Sequence, residues 1–146
     1  MAQFPSKHFI QTLLLLCLLS IIKNSFADDY TSPDSIKGST TINAEDLIKL
    51  AQDHDDLIII DSRIKSDRRQ GYISGSVSLP DTDTNCVSLL PVIDNKATPT
   101  VFYCNGPKCR RSDIAISKAA ECGYKNLYWF RGGFKEWKEK NYLISK

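Results

Sequence analysis

Two cysteines stand five positions apart in the stretch VFYCNGPKCRRS, residues 101–112, after an apolar run and among basic side chains. Cys104 follows directly on a predicted strand and precedes a predicted helix, so the loop amides and the positive end of the helix would point into one concavity. Such surroundings favour the thiolate, which is the nucleophilic form of cysteine. Cys104 is therefore the candidate nucleophile.

The residues that follow Cys104 supply groups that would bind an anion. Gly106 allows the backbone to turn tightly, and Pro107 has no amide hydrogen to donate. The other backbone amides of the loop are candidate donors, and the basic side chains add positive charge. The predicted substrate-binding residues are Asn105, Gly106, Lys108, Cys109 and Arg110.

Cys109 leaves a second interpretation of this loop open. In a tight loop, Cys104 and Cys109 could come within the range of a disulfide bond. The loop would then be a covalently clasped turn rather than a catalytic one. The choice depends on the compartment in which the chain works.

The first 27 residues are typical of a secretory signal peptide. Lys7 precedes the uncharged apolar run 9–22, and Ser25 and Ala27 supply the small residues that a signal peptidase requires. The run is shorter than the roughly 20 residues of a membrane-spanning helix. We therefore predict export, most simply to the periplasm, with cleavage after Ala27 and no membrane segment afterwards; an uncleaved N-terminal anchor is the alternative.

The mature chain would have 119 residues, which suits one small domain. It would carry 17 basic and 17 acidic residues, a balance that argues against a nucleic-acid surface. Four cysteines would remain, and an even number in an oxidising compartment permits a disulfide framework. Its one histidine, His54, is far from the cysteines in sequence, so no metal site is predicted.

Strands and helices alternate along the chain. Short apolar runs predict strands at 57–60, 77–79, 100–103 and 127–130, and helical patterns cover 44–52, 110–121 and 134–138. This alternation predicts an α/β protein with a parallel sheet covered on both faces. Ligands of such sheets bind beyond the carboxyl ends of the strands, where Cys104 is placed. Residues 28–38 are polar and are predicted to form a loose leader before a domain at 39–146.

Four segments resemble, in the same order, the signatures of the rhodanese-like family. IIIDSR, residues 58–63, is similar to a strand that ends in Asp-x-Arg, and GYISGSVSLP, residues 71–80, is similar to a Gly-His-Ile-x-Gly-Ala segment. FYCNGPKCRRS, residues 102–112, occupies the position of the active-site loop. GYKNLYWFRGGFKEW, residues 123–137, resembles the closing strand and a Gly-Gly-x-x-x-Trp signature.

The resemblance implies a three-layer α/β/α sandwich with a parallel five-stranded sheet. It implies a sulfurtransferase without a cofactor, in which Cys104 carries sulfane sulfur as a persulfide. Asp61 and Arg63 would support the architecture, and Cys109 would be a possible resolving thiol. The expected partners are a small anionic sulfur donor, such as thiosulfate, and a thiol or cyanide acceptor; no protein partner is identified.

Two departures from the family pattern keep other functions open. Tyr72 replaces the usual histidine, a change that we interpret as one of packing or hydrogen bonding. The loop from Cys104 to Arg110 is one residue longer than in typical sulfurtransferases and matches the Cys-x5-Arg form of dual-specificity phosphatases and arsenate reductases. The alternatives are therefore oxyanion chemistry at Cys104, or a non-catalytic sulfur-carrier or binding module with a Cys104–Cys109 disulfide.

Overall fold

Parallel strands form the centre of the protein, which the computed structural model describes over residues 30–146. In chain order the strands are β1 (Thr40–Ile42), β2 (Ile58–Asp61), β3 (Tyr72–Ile73), β4 (Val77–Ser78), β5 (Thr100–Tyr103), β6 (Leu127–Phe130) and β7 (Ile144–Ser145). Five of them make one sheet in the spatial order β1-β6-β5-β2-β4, and every neighbouring pair in it is parallel. The other two, β3 and β7, pair antiparallel.

The central strand β5 is the one that leads to Cys104. All four of its residues are buried, because β2 and β6 flank it and helices cover both of its faces. A continuous run of β-branched and aromatic residues is what such a doubly covered strand requires. The strand predicted at 100–103 is confirmed with the same bounds.

Within residues 30–146, five helices connect the strands and cover the sheet. They are α1 (Ala44–Asp53), α2 (Lys65–Arg68), α3 (Cys86–Leu89), α4 (Arg111–Glu121) and α5 (Gly133–Glu139). The side chain of Asn43 caps α1 by accepting a hydrogen bond from the Asp46 amide (2.9 Å), and Asp46 accepts one from the Asn43 amide (3.1 Å). This reciprocal pair satisfies amides that a helix start leaves without intrahelical partners. Over the described residues, no helix is long and apolar enough to span a membrane.

Two hydrophobic clusters, one on each face of the sheet, complete the sandwich. Along β5, Phe102 points into the cluster with α3 and α4, whereas Val101 and Tyr103 point into the cluster with α1 and α5. The alternation follows from the two-residue period of a strand. The predicted three-layer α/β/α sandwich with a parallel five-stranded sheet is confirmed.

Several short elements escaped the sequence analysis. Strand β1 forms the edge of the main sheet, and β3, β7, α2 and α3 have only two to four residues each. A disulfide between Cys86 and Cys122, with Cα atoms 5.4 Å apart, ties α3 to the C-terminal end of α4. Closing a loop of 36 residues contributes about 4 kcal/mol by the chain-entropy argument. The predicted signal peptide, residues 1–27, lies outside the described residues.

Candidate active site

Cys104 is the first residue after β5, at the carboxyl edge of the sheet. Its loop runs over residues 104–110 and enters α4 at Arg111, so the loop lies between a buried strand and a helix start, as the sequence predicts. Cys104 is only 1% exposed. Access to this sulfur therefore depends on the residues that cover it.

A disulfide joins Cys104 to Cys109 across the loop, with Cα atoms 6.2 Å apart. This separation lies within the ordinary range for disulfides, so the loop accommodates the bond in its folded conformation. The Cys109 amide donates to the carbonyl of Gly106 (2.9 Å), which closes a turn between the two cysteines. Of the amides predicted to bind substrate, that of Cys109 is thus engaged within the loop. The structure represents the oxidised state of the candidate nucleophile.

The start of α5 holds the other side of the loop. The amides of Phe134 and Lys135 donate to the carbonyls of Cys104 and Asn105, each at 2.8 Å. Gly133 has a φ of +58°, and a Cβ atom on it would overlap the carbonyl oxygen of Cys104 and lie 3.0 Å from the Gly106 amide nitrogen. The Gly-Gly segment therefore allows the helix backbone to reach the loop backbone.

Replacing Gly133 with alanine should lower the free energy of unfolding by about 2–3 kcal/mol, since a left-handed conformation and a backbone overlap both oppose a Cβ atom. Gly75 is the matched control: its φ is +78°, but no atom lies within 4 Å of a Cβ placed there. Gly75→Ala should cost only the conformational part, about 1 kcal/mol. Urea unfolding of both variants measures the difference, and equal losses would contradict the proposed close approach.

Asp61 and Arg63 form a buried ion pair directly beneath the loop. Arg63 donates to Asp61 through Nε (2.9 Å) and Nη2 (2.7 Å), and both side chains are 1% exposed or less. Arg68 (3.0 Å) and the Tyr103 hydroxyl (2.8 Å) also donate to the Asp61 carboxylate. The supporting role predicted for Asp61 and Arg63 thus has a physical basis in a network that joins β2 to β5.

Burial alone would raise the pKa of the Asp61 carboxyl, but the hydrogen bonds and the charge of Arg63 outweigh it and hold that pKa below its ordinary value. Burial likewise opposes the charge of Arg63, and Asp61 more than compensates, so the pKa of Arg63 is raised. The pair is therefore ionised at neutral pH. It provides a permanently charged support under the loop.

Arg63 also connects this support to the loop and to α5. Its Nη1 lies 3.4 Å from the side-chain oxygen of Asn105, and its guanidinium lies 4.2 Å from the centre of the Phe134 ring. The amide nitrogen of Asn105 donates in turn to Asp67 (2.7 Å). The Asn105 side chain therefore links the loop to Arg63 and Asp67, and the substrate contact predicted for Asn105 stays a prediction.

A pocket of about 660 Å³ opens above the loop. It brings together all five predicted substrate-binding residues, whereas Cys104 lies below them. Two lining residues, Tyr30 and Lys135, were not predicted from the sequence, and Arg111 was predicted only as one of the basic side chains that add positive charge to the loop. The residues that line the pocket are Tyr30, Asn105, Gly106, Pro107, Lys108, Cys109, Arg110, Arg111 and Lys135.

Four of these side chains are basic, which makes the pocket attractive to an anion. Lys108 and Arg110 are exposed at its mouth, in accordance with the predicted charge. Arg111 lies deeper: its Nη1 donates to the sulfur of Cys109 at 3.8 Å, and its Nε lies 3.5 Å from Asp81. The charge of Arg111 was visible in the sequence, but its contact with a cysteine sulfur was not.

The segment before β1 forms one wall of the pocket. Both the amide and the hydroxyl of Ser32 donate to the carbonyl of Pro107 at 2.7 Å, and Arg131 holds the carbonyl of Ser32 at 2.9 Å. The ring of Tyr30 lies 4.4 Å from the guanidinium carbon of Arg110, and its hydroxyl donates to Asp113. Hydrogen bonds and a cation–π contact therefore attach Ser32 and Tyr30, which belong to the predicted leader 28–38, to the loop after Cys104.

Together these features define a class of protein: a single α/β domain with a cysteine-centred, cationic loop at the carboxyl edge of its parallel sheet. The family model of the Rhodanese-like domain matches residues 43–140, and the chain belongs to that family. The curated relative "Uncharacterized protein YibN" of Escherichia coli K12 is 24% identical over 140 residues, which cover 95% of this chain and 92% of that protein.

Solved structures with the same fold are more distant in sequence. The BH2092 protein of Bacillus halodurans superimposes with a TM-score of 0.65 and 23% identity, over 73% of this chain and 77% of that one. A human protein described as the single-domain sulfurtransferase TSTD1 superimposes with a TM-score of 0.57 and 19% identity, over 70% of this chain and 97% of that one. At these identities the likeness establishes the fold.

Proposed function

We propose that this protein is a sulfurtransferase that moves sulfane sulfur from a small anionic donor to a thiophilic acceptor through a persulfide on Cys104. The observation that carries the proposal is the position of Cys104, which is buried beneath the loop residues that line a cationic pocket, in a loop held by a strand, two helices and a buried ion pair. Membership of the rhodanese-like family and the shared fold of a human sulfurtransferase support it.

The reaction takes two half-reactions. The thiolate of Cys104 attacks the outer sulfur of thiosulfate, the sulfur–sulfur bond of the donor breaks, and sulfite leaves with its electron pair. Cyanide or an acceptor thiolate then attacks the outer sulfur of the persulfide, which returns Cys104 to the thiolate. No metal ion or cofactor takes part in either step.

The Cys104–Cys109 disulfide adds a condition to this function. A sulfur that is bonded to Cys109 has no thiolate to offer, so the oxidised loop is inactive in the first half-reaction. Activity therefore requires prior reduction of this one bond. The phosphatase alternative shares the requirement, since it uses the same thiolate.

A pair of assays on the reduced protein tests the proposal. We expect thiocyanate to form from thiosulfate and cyanide, and we expect no hydrolysis of a generic aryl phosphate. The oxidised protein, assayed without reductant, is the control and should be inactive, because Cys104 is then bonded to Cys109. Hydrolysis of the phosphate ester without thiocyanate formation would contradict sulfur transfer and favour the oxyanion chemistry.

Replacing Lys108 or Arg110 with alanine should raise the KM for thiosulfate about three- to tenfold and weaken its salt dependence, because exposed charges attract the donor and are screened by salt. Arg110→Ala should have the larger effect, since its guanidinium is held over the pocket by Tyr30. Tyr30→Ala, which leaves both charges in place, should raise the KM less. Steady-state kinetics from low to high salt measure these effects, and a KM within twofold of wild type in both charge variants would exclude recruitment by these side chains.

A further inference from the structure

We propose that Cys109 discharges the Cys104 persulfide within the protein, so that the enzyme releases hydrosulfide and requires a dithiol reductant for turnover. This inference rests on the proposed formation of the persulfide at Cys104. It adds a second activity at the same site, a reductive one, in which sulfane sulfur leaves as hydrosulfide instead of passing to an external acceptor.

The geometry of the loop favours attack by Cys109 on a persulfide at Cys104. The sulfur atoms of Cys104 and Cys109 are bonded in the folded protein, with Cα atoms 6.2 Å apart, so the product of the discharge is a conformation of this fold. Both ends of the loop are fixed: the Cys104 carbonyl accepts from Phe134, and the Cys109 amide donates to Gly106. The thiol of Cys109 is therefore held close to the inner sulfur of any group carried by Cys104.

An external thiol has easier access to Cys109 than to Cys104. In the oxidised loop Cys104 is 1% exposed and does not line the pocket, whereas Cys109 is 9% exposed and does. A bulky external thiol would reach Cys109 before Cys104. The same order suits a dithiol that reduces the bond, because the incoming thiolate would attack Cys109 and expel Cys104 as the leaving thiolate.

The positive charge of Arg111 lies beside Cys109. The Nη1 atom of Arg111 lies 3.8 Å from the Cys109 sulfur, and Asp81 holds the same guanidinium from the other side. A neighbouring guanidinium favours the thiolate form of a cysteine, which is the attacking species. Arg111 is thus a positioning residue that acts through Cys109.

Cys109 thiolate attacks the inner sulfur of the Cys104 persulfide; the Cys104–Cys109 bond forms, and the bond to the outer sulfur breaks. The outer sulfur leaves with the electron pair and becomes hydrosulfide by keeping or gaining one proton. A dithiol then reduces the disulfide by two electrons, becomes a cyclic disulfide itself, and restores both cysteines.

A single-turnover experiment with full-length protein tests the inference. The protein is reduced with dithiothreitol, freed of the reductant, and treated with one equivalent of thiosulfate. We expect about one equivalent of sulfite and then one of hydrosulfide, with loss of two thiols and a first-order rate that does not depend on protein concentration. In Cys109→Ser, sulfite is still released, but mass spectrometry finds the extra sulfur retained on the protein until cyanide is added.

Two outcomes would overturn the inference, and one further variant serves as its control. Retention of the extra sulfur in the wild type for as long as in Cys109→Ser would overturn the inference but leave sulfur transfer intact. Absence of sulfite from both proteins would overturn sulfur transfer and the inference together. The double variant Cys86→Ser/Cys122→Ser, which lacks the distant disulfide, is the matched control and should release hydrosulfide as the wild type does.

The role of Arg111 has its own readout. Arg111→Gln should slow hydrosulfide release about tenfold at neutral pH and move the pH profile of that step to higher pH, because a guanidinium 3.8 Å from the sulfur no longer stabilises the attacking thiolate. Arg111→Lys should restore most of the rate. A slower step with an unmoved pH profile would show that Arg111 does not act on the Cys109 thiol.

Discussion

Replacing Cys104 with serine should abolish thiocyanate formation, with a loss of at least about a thousandfold, or roughly 4 kcal/mol of transition-state stabilisation. A hydroxyl fills nearly the same volume as a thiol, but it ionises poorly and forms no stable sulfur–sulfur bond with the donor. The fold should persist, because the core clusters on both faces of the sheet do not depend on this sulfur. Initial rates with thiosulfate and cyanide measure the loss.

Cys109→Ser is the matched control for this variant. Both substitutions remove the disulfide that closes the loop, but only Cys104→Ser removes the candidate nucleophile. Cys109→Ser should keep thiocyanate formation, at least in part, because cyanide attacks the outer sulfur without a second thiol. A Cys104→Ser protein that forms thiocyanate at the wild-type rate would show that the nucleophile lies elsewhere.

Replacing Arg63 with alanine should lower the free energy of unfolding by about 3–5 kcal/mol, which is the usual cost of removing one partner from a buried ion pair. The loss should be large here because Asp61 is fully buried and Arg63 also donates to the carbonyl of Gly71 (2.9 Å). An exposed pair provides the control: Lys49→Ala, which removes the partner of Asp53 on α1, should cost less than about 0.5 kcal/mol. Urea unfolding of both variants tests the contrast, and a cost below 1 kcal/mol for Arg63→Ala would contradict the buried network.

The same pair predicts a pH dependence. The pKa of Asp61 is lower in the folded protein than its ordinary value of 3.8, so its ionised form contributes stability above that pH. This contribution is lost as the pH falls through the folded-state pKa. Without Arg63, burial pushes the pKa of Asp61 upward, so the difference in unfolding free energy between the wild type and Arg63→Ala should narrow progressively as the pH falls from neutral into the acid range. A difference in unfolding free energy that widens as the pH falls would contradict the lowered pKa of Asp61 in the folded protein.

Local patterns in the sequence were sufficient for the elements that position the site. The run at 100–103 predicts a strand that is covered on both faces, because its four consecutive residues are β-branched or aromatic. Asn43 predicts the start of α1 because a cap acts within one turn. The position of Cys104 at the sheet edge follows from these local facts, since a strand followed by a helix determines where the intervening loop lies. Elements of two to four residues, such as β3 and α3, carry too short a pattern to be detected.

The contacts around the candidate site join residues that are distant in sequence, or depend on how side chains are oriented. The spacing of residues within a short segment predicts neither. Four cysteines allow three pairings, and only the folded chain brings Cys86 to Cys122 across 36 positions. By the sequence alone Tyr30 belonged to a loose leader and Asn105 to the substrate contacts. In the structure both residues line the pocket, and each also meets partners more than 35 positions away, since Tyr30 contacts Arg110 and Asp113 and Asn105 donates to Asp67. The sequence indicated Cys104, at the edge of the sheet, as the candidate nucleophile, and tertiary packing decided what surrounds its sulfur, since burial and pairing arise only when strands and helices that are far apart in the chain come together.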